Sequence, residues 1–239
     1  MGRAHEVRAA AMAKTAAAKT KVYSKYGKEI LIAAKSGVPD PEMNLALKHA
    51  IERAKKEQVP ADLIKRAIAR AASGSAESYD SVTYEGYGPG DSTFIVECLT
   101  DNTNRTFSAV RSMFTKTGAK LGGPGSVTFG YEHVALVSTK DMNEEEVLDA
   151  LVMAEVDAKN IETEDDEVTV TGDASASTII KDALENAHPG VVFSFDEITW
   201  LPSAGYVKLS EEDLEKFKRL YGMLDENDDV QNVYHNVEL

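Results

Sequence analysis

Cysteine is nearly missing from this 239-residue chain. The single thiol, Cys98, excludes an intramolecular disulfide framework and any zinc site built on a CxxC pair. Long apolar runs are missing as well, and nothing approaches the roughly 20 consecutive apolar residues that span a bilayer. The alanine-rich start is interrupted by Lys14, Lys19 and Lys21, so it lacks the apolar core of a signal peptide. The expectation is a cytoplasmic protein with no membrane partner. The histidines His5, His49, His133, His188 and His235 share no metal-ligand spacing. Cys98 has no sequence-local base and reads as a buried structural thiol. Asp225-Glu226-Asn227-Asp228-Asp229 lacks the spacing and glycine of an EF-hand and reads as a solvated turn. These absences lead us to expect no catalytic residue, no metal and no cofactor.

Positive charge is scarce overall, since 26 Lys+Arg face 40 Asp+Glu for a net charge of −14. That total argues against a polyanion partner until it is divided. Residues 1–72 hold 15 basic and 7 acidic side chains, a surplus of +8, which leaves −22 on the remainder. A basic head on an acidic body points to a nucleic-acid-binding module. On a helical wheel Lys14, Lys25, Lys28 and Lys35 all fall within about 40° of Lys21. Val22, Tyr26, Ile30 and Ala33 form a separate apolar face. A solvated surface explains most such lysine stripes. Here no acid occurs from Arg8 through Lys28, although a stripe meant for solubility usually mixes signs.

The spacing predicts three helices in the head: one over 5–35, a second from an Asp40-Pro41 start to about Gln58, and a third over 61–72. Leu47, Ala50, Ile51 and Ala54 face inward from the second, and Leu63, Ala67 and Ile68 from the third. Lys65, Arg66 and Arg70 face outward. Ser73-Gly74-Ser75 reads as a linker. The period then changes. Thr93–Leu99 alternates as a strand, 102–117 is helical with Phe107, Val110 and Phe114 inward, and Ser126–Tyr131 reads as a further strand. Residues 134–200 follow the order β-α-β-β-α-β of a ferredoxin-like unit. A strand near 206–208, a helix over 210–224 and a strand over 230–235 complete the chain. We therefore expect an α+β protein of three domains: a helical bundle (1–76), a discontinuous α/β domain (77–132 plus 205–239), and a ferredoxin-like domain inserted into it (133–204).

Two glycine-rich segments, Tyr84–Gly90 and Leu121–Ser126, lack the GK[ST] of a phosphate loop and read as shaped turns. Between them, Leu99–Thr106 runs from a strand end into a helix N-terminus, where free N–H groups favour anions. Arg105 opposes the helix dipole there, which suggests that it serves a partner. Glu85, Glu97 and Asp101 are the carboxylates that could converge in an enzymatic site, though nothing else marks one.

Together these segments resemble the YebC/PmpR family, whose members include the mitochondrial translational activator of cytochrome oxidase subunit one. The resemblance is carried by Met1-Gly2-Arg3-Ala4, Ala33 to Gly37 with Pro39-Asp40-Pro41, and Ala50 to Lys55. It continues through Tyr84 to Gly90, Glu97 to Thr106, Leu121-Gly122 with Gly125-Ser126-Val127, Asp228 to Gln231, and Val233 to Asn236. The short opening and the Asp-Val-Gln ending are most similar to the YeeN-type branch. Gly2-Arg3-Ala4-His5-Glu6 departs from the family's frequent Gly-His-Ser-Lys-Trp opening, which removes an aromatic contact there. The resemblance implies a helical domain and two α/β domains, no enzymatic activity, and a DNA-binding transcriptional regulator. Relatives described as translation factors imply the alternative of ribosomal or messenger RNA, at the ribosome. The phosphate-contacting set expected from charge is Lys14, Lys21, Lys25, Lys28, Lys35, Lys65, Arg66 and Arg70, extended by Arg105 and Arg111. A small-molecule hydrolase or ligand-binding protein using the glycine loops is the remote alternative.

Overall fold

A computed structural model describes residues 19–73 and 78–239. Lys14, the opening motif and the Gly74-Ser75 part of the expected linker lie outside the described residues. The chain forms an N-terminal helical bundle followed by two α/β portions with antiparallel pairing in each sheet. By compactness, residues 127–209 with 234–239 form one unit; residues 19–126 and 210–233 belong to the other.

The bundle consists of α1 (Lys19–Lys35), α2 (Leu45–Lys56) and α3 (Ala61–Ala72). Ile30, Ala34, Leu47, Ala50, Ile51, Ala54, Ile64 and Ala67 make its core. Helix α2 starts later than the Asp40-Pro41 signal suggests. Asp40 Oδ1 instead accepts from Glu42 N at 3.0 Å in a turn, and Asn44 becomes the cap. Asn44 Oδ1 accepts from Leu47 N at 3.1 Å, while its Nδ2 donates to Ala33 O at 2.8 Å and Val38 O at 3.0 Å. One side chain thus satisfies groups at the end of α1, in the loop and at the start of α2, which a cap at Asp40 would not do.

In the same unit, β1 (Asp80–Tyr87), β2 (Thr93–Thr100), β3 (Lys120–Leu121) and β8 (Val230–His235) form a sheet of order β3-β1-β2-β8. Helices α4 (Thr103–Lys116) and α7 (Glu211–Asp225) supply its aromatic core. Phe94 meets Phe114 edge-on at 5.7 Å and stacks on Phe217 at 5.1 Å between centroids. The buried arc of α4 runs through Thr106, Val110 and Phe114, at four-residue spacing. Phe107, expected inward, lies off that arc, 42% exposed, tilted against Tyr84. Ser126–Tyr131 is not a strand. Gly125 takes φ +80° and turns the chain, residues 128–130 form a 3₁₀ turn, and Tyr131 opens the next strand. The expected strand near 206–208 is likewise reduced to a single bridge, Val207 to Val237.

The other unit contains β4 (Tyr131–Thr139), α5 (Glu144–Met153), β5 (Asn160–Glu164), β6 (Glu167–Asp173), α6 (Ser177–Ala187) and β7 (Phe193–Pro202). Its sheet order, β5-β6-β4-β7, is that of the ferredoxin-like fold. Asp165 and Asp166, both at positive φ, make the two-residue turn between β5 and β6. Val147, Leu151, Ile180 and Leu184 pack from α5 and α6 onto Val137, Val168 and Val170 of the sheet.

Candidate nucleic-acid interface

The apolar residues of α1 decide where its lysines go. Ile30 and Ala34 are buried against α2 and α3, with Tyr26 and Ala33 packed beside them. That places Lys21, Lys25 and Lys28 on another face, and there they are partly buried instead of solvated. They meet the segment that joins α7 to β8. Lys21 Nζ lies 3.1 Å from Asp225 Oδ1, and Lys25 Nζ donates to Asn232 Oδ1 at 2.6 Å. Asn232 in turn donates to Glu97 Oε2 at 2.9 Å. Lys28 Nζ reaches Asp228 O at 2.7 Å, Leu99 O at 3.3 Å and Asp229 Oδ1 at 3.3 Å, and sits 5.5 Å from the Tyr79 ring centroid. An ammonium has three N–H donors, and Lys28 has an acceptor for each.

Asp229 links this lysine face to the start of α4. Its Oδ2 accepts from Arg105 at 2.8 Å and from the Thr106 hydroxyl at 2.8 Å. Burial opposes ionisation of Asp229, but hydrogen bonds from Arg105, Thr106 and Lys28 outweigh it and hold the carboxyl below its usual range. Arg105 also pairs with Asp101 at 2.8 Å, one turn before it. The two carboxylates offset the unfavourable placement of a cation at the α4 N-terminus, where Asn102 accepts from Arg105 N at 3.0 Å. Arg105 thus has two carboxylate partners within its own chain.

The remaining candidates do not join this cluster. Lys35 is exposed at the end of α1, and Lys65, Arg66 and Arg70 are exposed on α3, where Arg66 bridges to Asp62 at 2.6 Å. Lys48, Lys55 and Lys56 are exposed on α2 and extend the basic surface of the bundle; the charge count contained them, but no stripe singled them out. Arg111 is exposed on α4 beside a shallow groove of about 380 Å³ lined by Phe107, Ser108, Ser112, Thr115 and Lys116. Sequence reasoning missed Asp225, Asp228, Asp229 and Asn232. The acidic run at 225–229 was the available signal, but the lysines it binds lie about 200 residues earlier in the chain.

The carboxylates that could have formed an enzymatic site are each engaged by a different partner. Glu85 is buried and accepts from Gly125 N at 2.7 Å, Glu97 holds Asn232, and Asp101 holds Arg105. Glu85 thereby ties the two glycine-rich segments together, with Gly122 N donating to Glu85 O at 2.8 Å. A methyl group at Gly86 would run into the Phe114 ring, and one at Gly88 into Ser92 and Phe94. These glycines serve close packing. Cys98 is buried, and burial with the nearby Asp229 charge pushes its thiol up to about 12, so it carries no nucleophile. Among the described residues no group of three His, Cys, Asp or Glu side chains could hold a metal ion, and no helix is long and apolar enough to cross a membrane.

Comparison with known proteins places this arrangement. Residues 3–74 match the model of the TACO1/YebC protein N-terminal domain, and residues 79–237 match that of the TACO1/YebC second and third domain. The chain belongs to the TACO1/YebC family. Two TACO1/YebC relatives, each named as a probable transcriptional regulatory protein, come from Vibrio vulnificus and Marinobacter nauticus. The first is 50% identical over 239 residues, covering 100% of both chains. The second is 51% identical over 239 residues, covering 100% of this chain and 99% of the relative. The crystal structure of a conserved hypothetical protein from Aquifex aeolicus aligns with TM-score 0.77 at 36% identity, covering 95% of this chain and 93% of that one. Membership of the TACO1/YebC family carries a role in regulating gene expression.

Proposed function

We propose that this protein is a non-enzymatic, cytoplasmic regulator of transcription that binds DNA through its basic helical head. The observation that carries the reading is the set of exposed cations on α2 and α3, namely Lys48, Lys55, Lys56, Lys65, Arg66 and Arg70, on a bundle whose surplus charge is opposite to that of the body. Lysine and arginine at a helical surface contact phosphates, which position a protein without reading sequence. If about four of these side chains engage duplex phosphates, log K falls against log salt with a slope of about −3 to −4. The test is fluorescence anisotropy with a mixed-sequence duplex across a salt series. Lys65→Glu, Arg66→Glu and Arg70→Glu together are expected to weaken binding at least tenfold and flatten the slope. A flat slope in the unaltered protein, or unchanged affinity in the triple variant, overturns the reading. Tighter binding to a structured RNA in the same assay, with co-sedimentation with ribosomes, would replace DNA by the ribosome as the target.

A further inference from the structure

The α1 lysines present cations at the spacing expected for a phosphate track, and the structure shows them filled by groups that imitate one. We propose that residues 225–232 form an intramolecular acidic clasp over Lys21, Lys25 and Lys28, and that nucleic acid must displace this clasp to use them. The inference rests on the nucleic-acid reading above and assigns a regulation to that interface.

Three observations carry it. The three lysines lie at four- and three-residue spacing along one helix face, and each has its own acceptor: the Asp225 carboxylate, the Asn232 amide oxygen, and, for Lys28, Asp229 with two backbone carbonyls. A phosphate group would offer these ammonium groups oxygen acceptors at the same distance, all of them on a charged group where the chain supplies two carboxylates and three neutral oxygens.

The acids, moreover, are placed against the interest of their own helix. α7 ends on Asp225 and has no basic residue in its last turn, although a helix C-terminus favours cations. Lys21, from α1, supplies the cation that α7 lacks.

The clasp is also graded. The Lys21–Asp225 pair is open to solvent, with side-chain exposures of 23% and 53%, and is screened by salt. The Lys28–Asp229 pair, at 14% and 13%, is enclosed and tied to Arg105. A polyanion arriving at the exposed α2–α3 cations can therefore take Lys21 and Lys25 first, while Lys28 keeps the head seated.

The experiment uses the full chain and the same mixed-sequence duplex. Asp225→Asn with Asn232→Ala removes the charge that pairs with Lys21 and the amide oxygen to which Lys25 donates. It is expected to tighten binding about fivefold and to steepen the salt slope by about two phosphate contacts. Glu226→Gln removes an exposed acid one residue away that touches none of the three lysines, and so measures the general effect of lost negative charge. If the double variant does no better than Glu226→Gln, the clasp is overturned. Adding Lys21→Gln and Lys25→Gln to the double variant is expected to abolish the gain, and a gain that persists also overturns it. Should the double variant fail to hold its fold, Asp225→Asn alone, at a half-exposed side chain, is expected to give a two- to threefold gain over Glu226→Gln; its absence refutes the clasp. The two readings fail differently. If no protein in the series binds duplex or structured RNA at low salt, the nucleic-acid reading falls and takes the clasp with it. If binding is present and lost through Lys65, Arg66 and Arg70, but the double variant shows no gain, the clasp alone falls.

Discussion

Asp229 has the most at stake of any single side chain in this molecule. It lies at the junction of α1, α4 and β8, accepting from Lys28, Arg105 and Thr106. Replacing it with alanine would leave Lys28 enclosed beside no counter-ion and remove the carboxylate that Arg105 and Thr106 share. Removing one partner of an enclosed pair costs about 3 kcal/mol or more, which a urea unfolding curve for Asp229→Ala should show. Its carboxyl titrates lower in the folded chain than in the unfolded one, so this contribution is full above about pH 4 and is lost as pH falls below that. His235, the last residue of β8, adds a second acid-sensitive element. Burial lowers its imidazole to about 4 from an ordinary 6.5, and Val237 N donates to Nδ1 at 3.2 Å, a bond that only the neutral ring accepts. Between those values the unfolded chain binds a proton that the folded chain does not. Stability is therefore full above about pH 6.5 and drops by up to about 3 kcal/mol as pH falls toward 4. His235→Gln should flatten that part of the urea-stability profile; an unchanged slope would assign it to other groups.

Among the elements, the bundle depends on how α1 is joined to α2. The alanine-rich helices bring little apolar bulk, so one well-placed polar group matters more here than in the ferredoxin-like core. Asn44 caps α2 and closes the connection to α1 with three hydrogen bonds, at 8% exposure. Asn44→Ala is expected to destabilise the protein by about 2 kcal/mol, combining a lost N-cap with lost hydrogen bonds to the Ala33 and Val38 carbonyls, as read from its unfolding midpoint. The element pattern also shows where periodicity is a sufficient guide. The helices and strands of 134–200 appear with small shifts at their ends, because each has a clear 3.6- or 2-residue period between turn signals. Ser126–Tyr131 shows where it fails. Its β-favouring residues follow Gly122-Gly123-Pro124-Gly125, and the bond from Gly125 N to Glu85, forty residues earlier, shapes the turn that leads into it.

For the whole molecule, the net charge of −14 conceals a division between a basic head and an acidic body. The basic helices and the acidic segment 225–229 nonetheless belong to one compact unit, in which the opposite charges meet. Affinity for a polyanion is then a difference between two sets of contacts, one with phosphates and one within the chain. This is why the salt slope, which counts the phosphates engaged, is the informative measurement across the proposed variants.

The sequence by itself determined the helical head, the α/β character of the body, the ferredoxin-like order of 134–200, the inward faces of α2 and the family resemblance. These follow from local periodicity, turn chemistry and charge counts, which are properties of neighbouring residues. Only the tertiary structure decided what the charged residues do. A wheel shows that Lys21, Lys25 and Lys28 share a face, but not what that face meets, and an acidic run reads as a solvated turn until its partner arrives from 200 residues away. Charge pairing acts through space and is blind to distance along the chain, so the lysine face and its acidic cover become legible only when the fold brings them together.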